Sequence, residues 1–352
     1  MYESRLALGL QPYTAGEQPK DRRLIKLNTN ENPFPPSPAA LEALRADWES
    51  LRLYPDTEAT GLREAIAEAE GLDPAQVFCG NGSDEVLAFA FAALFAGKTL
   101  TAPDITYSFY PVYSQLLGVD YRTVPLREDF TVDVEALLAH APVALANPNA
   151  PTGIFLPVSE IARLAAGARE KGEALLVDEA YAAFAPESAR PLLDTYDNLL
   201  IVRTLSKSHS LAGLRLGYAL GSERLINALR RVRDSFNSYP TDRLAQTVAE
   251  AAIRDRAYTE KCVRAVCEAR DWTAEALRAL GLTVLPSSTN FLFVRADDED
   301  AGPVQRALRE RGILVRHFTA PRLKAWLRVS VGTMEDMRAV VDALAELCPG
   351  RG

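Results

Sequence analysis

The sequence predicts an α/β protein with a large domain built on a mostly parallel, doubly wound sheet and a smaller α+β domain. Between residues 77 and 220, short apolar segments alternate with helical patterns. This alternation is typical of a parallel sheet whose two faces are both covered by helices. After a long helical region from 242 to about 280, further strand and helix patterns indicate a second unit. A chain of 352 residues is long enough for both.

The elements assign the chain to three parts. Residues 1–30 are expected to form an N-terminal arm that belongs to the small domain, residues 31–240 the large domain, and residues 241–352 the small C-terminal domain. Ser37 followed by Pro38 is a typical helix start. The strands expected in the large domain are 77–79, 99–102, 121–124, 143–146, 174–177, 198–202 and 216–220. Those expected in the small domain are 282–285, 291–294, 313–316 and 326–331.

Composition narrows the class of protein. A net charge of −8 argues against nucleic acid and anionic membranes as partners, although a local cluster of arginines could still bind a small anion. No signal peptide is evident, and the apolar run at 89–95 is too short for a membrane helix. The four cysteines lack metal-site spacing, so we expect reduced thiols, no metal and a cytoplasmic protein.

A loop of small and hydroxylated residues at 203–215 connects two strands, and Lys207 lies in it with Arg215 eight positions on. This setting suits a lysine that forms a Schiff base. Such a lysine must lose its proton near neutral pH, which requires burial or a neighbouring cation such as Arg215. A Ser-Lys pair alone is more often a solvated loop lysine, and the residues by themselves leave that alternative open.

A second candidate site is the glycine-bearing turn at 80–85, which follows a strand and opens a helix. Backbone N–H groups and the helix dipole converge there, as a phosphate requires. A generic glycine turn is the alternative. In parallel sheets, ligands bind beyond the carboxyl ends of the strands. Asp178, Lys207 and the turn at 147–153 all follow such ends.

Several of these runs carry a family resemblance. Arg-Thr-Leu-Ser-Lys at 203–207 and Leu-Ala-Gly-Leu-Arg at 211–215 resemble the cofactor-lysine segment of fold type I aminotransferases, which depend on pyridoxal 5′-phosphate (PLP). Asn-Glu-Asn-Pro at 30–33 and Gly-Asn-Gly-Ser-Asp-Glu at 80–85 are similar to further stretches of the class II, histidinol-phosphate aminotransferase group. The resemblance extends from Pro12 to Thr333 and implies the fold type I transferase fold.

The resemblance implies a role for three residues in the chemistry of PLP. Lys207 would bind the aldehyde and carry protons, and Asp178 would keep the ring nitrogen protonated, so that the ring can act as an electron sink. Tyr181 would donate a hydrogen bond to the phenolic oxygen O3′. From the pattern alone, Asp178 could instead be a helix-cap or loop aspartate, and Tyr181 a core residue.

The remaining site residues are also implied by the resemblance. Tyr107 would lie on the ring face, and Tyr54 would reach the phosphate from a neighbouring subunit, which implies a homodimer. Those expected to hold the cofactor, mainly its phosphate, are Gly82, Ser83, Asp84, Thr204, Ser206 and Arg215. Those expected to hold the substrate are Tyr13, Arg316 and Arg328. The two arginines alternate with apolar residues, a pattern that alone fits solvent-facing positions equally well.

One position departs from the family pattern. Related enzymes usually read Asn-Asn-Pro-Thr-Gly, in which the second asparagine binds O3′ and substrate, whereas Ala150 occupies that place here. Either Asn149 substitutes from one residue earlier, or the O3′ contact depends on Tyr181 alone. His209 follows Lys207 closely, but we expect it to pack rather than relay protons, because Lys207 is already the proton carrier.

The implied activity is transamination between L-histidinol phosphate and 2-oxoglutarate, a step of histidine biosynthesis. Three alternatives stay open. Two are enzymes on the same scaffold, a threonine-phosphate decarboxylase and an aromatic amino acid aminotransferase. The third is a PLP-binding regulator without catalysis, which is disfavoured because such regulators usually carry an additional DNA-binding segment. All of them share the cofactor residues.

Overall fold

The computed structural model describes residues 2–12, 16–18, 24–45 and 48–348. In these ranges the strands are β1 (Ile25–Leu27), β2 (Val77–Asn81), β3 (Thr99–Pro103), β4 (Asp120–Val124), β5 (Val143–Ala146), β6 (Leu175–Asp178), β7 (Leu199–Thr204), β8 (Leu216–Gly221), β9 (Thr283–Val284), β10 (Phe291–Arg295), β11 (Ile313–His317) and β12 (Trp326–Ser330). The α-helices are α1 (Arg5–Gly9), α2 (Pro38–Ala43), α3 (Thr60–Glu70), α4 (Gly82–Ala90), α5 (Tyr110–Leu117), α6 (Val134–Leu138), α7 (Val158–Glu170), α8 (Leu205–Ser208), α9 (Glu223–Phe236), α10 (Arg243–Arg254), α11 (Arg256–Ala279), α12 (Gly302–Glu310) and α13 (Met334–Leu347).

The larger sheet has the strand order β2-β8-β7-β6-β5-β3-β4. Strand β8 runs antiparallel to both of its neighbours, and the pairs from β7 to β4 are parallel. Side chains of β7 alternate between two apolar clusters, with Leu199 and Ile201 in one and Leu200 and Val202 in the other. Both faces of the sheet are therefore covered, and the predicted mostly parallel α/β fold is confirmed.

The parallel strands bring distant residues to one edge of this sheet. Asp178, the last residue of β6, pairs with Val202 on β7, and α8 begins directly after β7. Lys207 therefore lies one short turn beyond the strand end next to Asp178. The sequence predicted this arrangement, because neighbouring parallel strands end at a common edge.

A close backbone approach joins this edge to the start of α4. Leu216 on β8 bridges Gly82, and the next residue, Gly217, packs on the backbone between Gly82 and Ser83. A Cβ atom on Gly217 would overlap the backbone nitrogen of Ser83. Gly82 itself has φ of +81°, and the space that its missing side chain leaves is taken by the Arg215 guanidinium. Glycine is thus required at both positions.

The smaller sheet has the order β1-β11-β12-β10-β9. Strand β1, from near the N-terminus, pairs in parallel with β11, while β12 lies antiparallel to both β11 and β10. The apolar sides of α11 and α13 cover this sheet in one core cluster that includes Val266, Leu277 and Val340. The N-terminal segment therefore joins a sheet made otherwise from the C-terminal third of the chain.

Helix α10 packs differently from the expected division at residue 240. Its side chains Ala245, Val248 and Ala252 belong to the core cluster of the large sheet, together with Leu62 and Ile66 of α3. The helical region expected from 242 to 280 is also two helices, separated at Asp255. The reason is the row of small apolar residues on α10, which allows close contact with α3. This packing favours a boundary after α10, and the domain division otherwise stays a prediction.

Two further features bear on the expectations from composition. None of the helices in the described ranges combines the length and apolar character needed to cross a bilayer. Cys79, Cys262 and Cys267 are free thiols. Burial raises the pKa of the Cys79 thiol to about 12.

We expect Gly217→Ala to lower the free energy of unfolding by about 2 kcal/mol or more, because the added methyl group meets backbone rather than a flexible side chain. Urea unfolding followed by circular dichroism measures this. Gly9→Ala is the control, since a Cβ atom there meets no described atom within 4 Å. Equal stability of the two variants would contradict the close approach.

Candidate active site

The carboxyl ends of β5, β6 and β7 and the start of α4 enclose a cavity of about 360 Å³. It is large enough for a small cofactor. Of the predicted cofactor residues, those that line it are Ser83, Asp84, Tyr107, Asp178, Tyr181, Thr204, Ser206, Lys207 and Arg215. The structure thus places side chains that are up to about 130 residues apart in sequence around one space.

Lys207 meets the requirement for a reactive amine. Burial lowers its pKa from 10.5 to about 8, and the positive charge of Arg328 contributes in the same direction. Arg215, the cation named from the sequence, contributes less, and the charges of Glu31 and Asp84 oppose the shift. The Lys207 Nζ donates a hydrogen bond to the Thr29 carbonyl at 3.2 Å.

Asp178 is 5% exposed and faces the same cavity. One carboxylate oxygen accepts from the Ala180 N–H at 3.1 Å, and the other accepts from the Tyr110 hydroxyl at 3.3 Å. Burial raises the Asp178 pKa to about 7, although both hydrogen bonds act against the shift. Because a buried carboxylate is costly without a positive partner, this site suits a ligand that presents a cationic N–H.

Tyr110 is a functional residue that the sequence reasoning missed. It is fully buried and holds Asp178 through its hydroxyl. The available signal was its position three residues after Tyr107, a spacing that puts two side chains on one face of a helix. In the structure the two rings meet edge to face, with centroids 5.7 Å apart.

Asp84 links the parts of the site near α4. Its carboxylate accepts from Arg215 at 2.9 Å and from the Tyr107 hydroxyl at 2.7 Å. Next to it, the Thr204 and Ser206 hydroxyl oxygens are 2.9 Å apart. The sequence reasoning assigned Asp84 a backbone role only, whereas its side chain fixes both Arg215 and Tyr107. The result is a helix start with hydroxyl donors and a guanidinium around one corner of the cavity.

The structure does not support Asn149 as the replacement for the missing asparagine. Among the described lining residues of the cavity, Ala150 is present and Asn149 is not. The Asn149 amide instead donates to the Ile105 carbonyl at 2.9 Å and to Thr152 Oγ1 at 3.0 Å. Asn149 lies in the turn after β5, and these two contacts hold its amide. Of the two alternatives, Tyr181 is the one that lines the cavity.

Arg316 and Arg328 lie opposite each other on β11 and β12. Both line a second cavity of about 510 Å³, which shares Tyr107, Ala150 and Tyr181 with the first. The Arg328 guanidinium lies 5.4 Å from the ring centroid of Phe291 and donates to the Asn28 carbonyl at 3.1 Å. Like charges directly opposite repel each other, so the pair is suited to bind an anion.

Three other residues considered from the sequence lie away from these cavities or outside the described residues. Tyr13 falls outside the described residues. Tyr54 is 76% exposed, stacks on Tyr239 with ring centroids 4.4 Å apart, and is not among the described residues lining either cavity. His209 contacts Ser208 through its Nδ1 at 2.9 Å, and burial lowers its pKa to about 4. A neutral, half-buried His209 fits the expected packing role.

Comparison with known proteins identifies the family. The model of the family "Aminotransferase class I and II" matches residues 22–344, nearly the whole chain. The chain belongs to the class I and II aminotransferases. The cavity residues named above therefore form the candidate active site of an aminotransferase, as the resemblance implied.

Proteins named histidinol-phosphate aminotransferase are similar to this chain over nearly its full length. Histidinol-phosphate aminotransferase from Aromatoleum aromaticum is 50% identical over 353 residues, covering 98% of this chain and 99% of that protein. The protein of that name from Pseudomonas putida is 50% identical over 339 residues, covering 96% and 97%. A solved structure of histidinol-phosphate aminotransferase from Sinorhizobium meliloti in complex with pyridoxal-5′-phosphate has a TM-score of 0.86 at 29% identity, covering 98% of each chain.

In this aminotransferase we expect Arg328→Gln to raise the Lys207 pKa from about 8 toward 10.5, because a neighbouring positive charge no longer disfavours the protonated amine. The pH dependence of Lys207 acetylation in cofactor-free protein, measured by mass spectrometry, reports this pKa. Arg328→Lys is the matched control, since it keeps the charge and should keep the wild-type profile. Identical profiles for Arg328→Gln and the wild type would contradict the electrostatic coupling.

Proposed function

We propose that the chain is a PLP-dependent transaminase that exchanges an amino group between L-histidinol phosphate and 2-oxoglutarate in histidine biosynthesis. The observation that carries the proposal is one cavity lined by both Lys207, with a lowered pKa, and Asp178, a buried carboxylate. An amine for an aldehyde and a carboxylate for a ring nitrogen are what PLP requires of a protein. The name shared by relatives 50% identical over nearly the full chain supports the substrate.

The residues present fit PLP. The Arg215 guanidinium occupies the space that the absent Cβ of Gly82 leaves, which brings it to the start of α4, where helix N–H groups and Ser206 can bind a phosphate. Asp178 and Lys207 line the same cavity. Tyr107 lines the cavity with its hydroxyl held by Asp84 at 2.7 Å, so its ring orientation is fixed.

When bound, PLP supplies an electron sink for the bond that breaks at the substrate Cα. The protein's own residues do the rest. Asp178, as a carboxylate, keeps a proton on the ring nitrogen. The Lys207 Nζ, which is substantially neutral near its pKa of about 8, accepts the proton from the substrate Cα and returns it. Arg328 helps to keep that amine neutral before reaction.

The arginine pair supports a substrate class. A transaminase must accept two unlike substrates at one site, here an amine bearing a phosphate and a dicarboxylate. The planar guanidinium fork pairs with phosphate or carboxylate oxygens, so Arg316 and Arg328 can serve both. Their cavity joins the Lys207 cavity through Tyr107 and Tyr181. No feature of the described residues favours the decarboxylase, the aromatic aminotransferase or the regulator.

We further propose a homodimer in the cytoplasm. The exposed stack of Tyr54 on Tyr239 supports the dimer, because Phe236, 78% exposed, and Leu53, 53% exposed, add to the apolar surface of the same region. Tyr54 would then reach the PLP phosphate of the partner subunit. The free thiols of Cys79, Cys262 and Cys267 support a reducing compartment.

The proposed function predicts a two-step spectral change. Purified protein loaded with PLP should lose its visible absorption band on mixing with L-histidinol phosphate and recover it on addition of 2-oxoglutarate. Lys207→Ala should show neither the visible absorption band nor turnover, because alanine lacks the reacting amine. Lys171→Ala, a change at an exposed residue, should behave as wild type. Carbon dioxide released from threonine phosphate, with no response to histidinol phosphate, would overturn the assignment.

Subunit mixing tests the role of Tyr54. We expect Tyr54→Phe to weaken PLP binding by roughly 10-fold or more, the loss of a hydrogen bond to a charged group. Mixing Tyr54→Phe subunits with Lys207→Ala subunits should restore one complete site per hybrid dimer, measured as high-affinity PLP binding and turnover. Each variant alone is the control. Hybrids without recovered binding, or a monomer by sedimentation, would contradict action across the subunit boundary.

A further inference from the structure

We propose that Asn30 is a positioning residue that sets the Tyr181 hydroxyl as a hydrogen-bond donor toward the O3′ oxygen of the bound cofactor. The inference rests on the proposed function, since it assumes that PLP occupies the cavity. Asn30 is not among the described residues that line either cavity. The resemblance marked it only as part of the Asn-Glu-Asn-Pro stretch at 30–33.

The contacts of Asn30 form a closed network between the two sheets. Its side-chain Nδ2 donates to the Tyr181 hydroxyl at 2.9 Å, and its Oδ1 accepts from the Ser330 hydroxyl at 2.9 Å. Its backbone N–H donates to the same Ser330 oxygen at 2.8 Å. Asn290 donates to the Asn30 carbonyl at 3.0 Å. Tyr181 follows β6 of the large sheet, whereas Ser330 ends β12 of the small one.

The hydrogen bonds of Asn30 have defined directions. Its backbone N–H donates to the Ser330 oxygen, and the Ser330 hydroxyl donates to the Asn30 Oδ1. With Oδ1 toward Ser330, the amide is oriented with Nδ2 toward Tyr181, where an N–H can only donate. The Tyr181 oxygen therefore accepts from Asn30, so the proton of its hydroxyl is not used in that contact, and Tyr181 lines the cavity.

Asparagine is suited to this position for two further reasons. Residue 30 has φ of +56°, a left-handed conformation that asparagine adopts more readily than most other residues. It is also 1% exposed, so its amide cannot exchange these partners for water. The adjacent Thr29 carbonyl accepts from the Lys207 Nζ, so consecutive residues of one segment contact both Lys207 and Tyr181.

The departure at Ala150 increases the importance of this network. An alanine has no side-chain donor for O3′, and Asn149 donates its amide to Ile105 and Thr152 instead. Among the described residues lining the cavity near Ala150, Tyr181 supplies a hydroxyl donor. A residue that orients the Tyr181 hydroxyl would therefore influence how much negative charge the O3′ oxygen carries at a given pH.

The test follows the visible absorption of PLP-loaded protein as a function of pH. A donor at O3′ stabilises the form that carries more negative charge on that oxygen, so losing the donor moves the titration midpoint to higher pH. We expect a shift of about 1 pH unit for Tyr181→Phe and a shift in the same direction for Asn30→Ala. In the double variant, Asn30→Ala should add nothing to Tyr181→Phe.

Two further variants separate positioning from general loosening. Asn30→Gly, which accepts the positive φ without strain, should shift the midpoint as Asn30→Ala does and keeps the test valid if the alanine variant fails to fold. Asn28→Ala is the matched control, because this buried amide donates to the Glu17 carbonyl at 2.8 Å rather than to Tyr181. It should leave the midpoint unchanged.

The outcomes distinguish the inference from the function on which it rests. A wild-type midpoint in both Asn30 variants, or an equal shift by Asn30→Ala with and without the Tyr181 hydroxyl, would overturn the positioning role alone. A wild-type protein that binds PLP without any titrating visible band would overturn the proposed function together with it. A shift present only when Tyr181 is intact supports the inference.

Discussion

The burial of an amine and a carboxylate at one edge of a sheet is the constraint on which the rest of the site depends. Lys207 and Asp178 are shifted in opposite senses, to pKa values of about 8 and about 7, and each shift reduces the charge that must be buried. A second pair of charges is buried beside them. The next residue, Glu179, is 2% exposed and paired with Arg203 at 2.8 Å, which joins the ends of β6 and β7 through a buried ion pair.

The two sheets depend on each other at this edge. Residues 28–32, which follow β1 of the small sheet, contact the site at several points. The Thr29 carbonyl accepts from Lys207 Nζ, and the Asn32 amide donates to the Lys207 carbonyl at 2.9 Å. Any movement of the small sheet would therefore change the surroundings of the reactive amine. Strand β1 pairs with β11, which carries Arg316, so this N-terminal segment belongs to the same sheet as the two arginines that line the second cavity.

The sequence was informative where the determinants are local. Alternating strands and helices predicted the parallel sheet, and strand ends predicted the meeting of Asp178 with the Lys207 loop. It was uninformative where a contact joins distant segments. Tyr110 and Asp178 are 68 residues apart, and Asn30 and Tyr181 are 151 apart, so no local pattern marks either pair. The orientation of Asn149 and the packing of α10 also required the fold, because the Asn149 amide bonds to Ile105, 44 residues away, and α10 packs against α3.

The distribution of positive charge explains how a protein with a net charge of −8 can select anions. Arg215 is tied to Asp84 at 2.9 Å, so the phosphate corner carries a guanidinium whose position is fixed before any ligand arrives. Arg328 instead lies against Phe291 and the Asn28 carbonyl, opposite Arg316. In the proposed function, the planar guanidinium groups of this pair would bind phosphate or dicarboxylate. Arg215 would then serve cofactor binding, and Arg316 and Arg328 would serve substrate exchange.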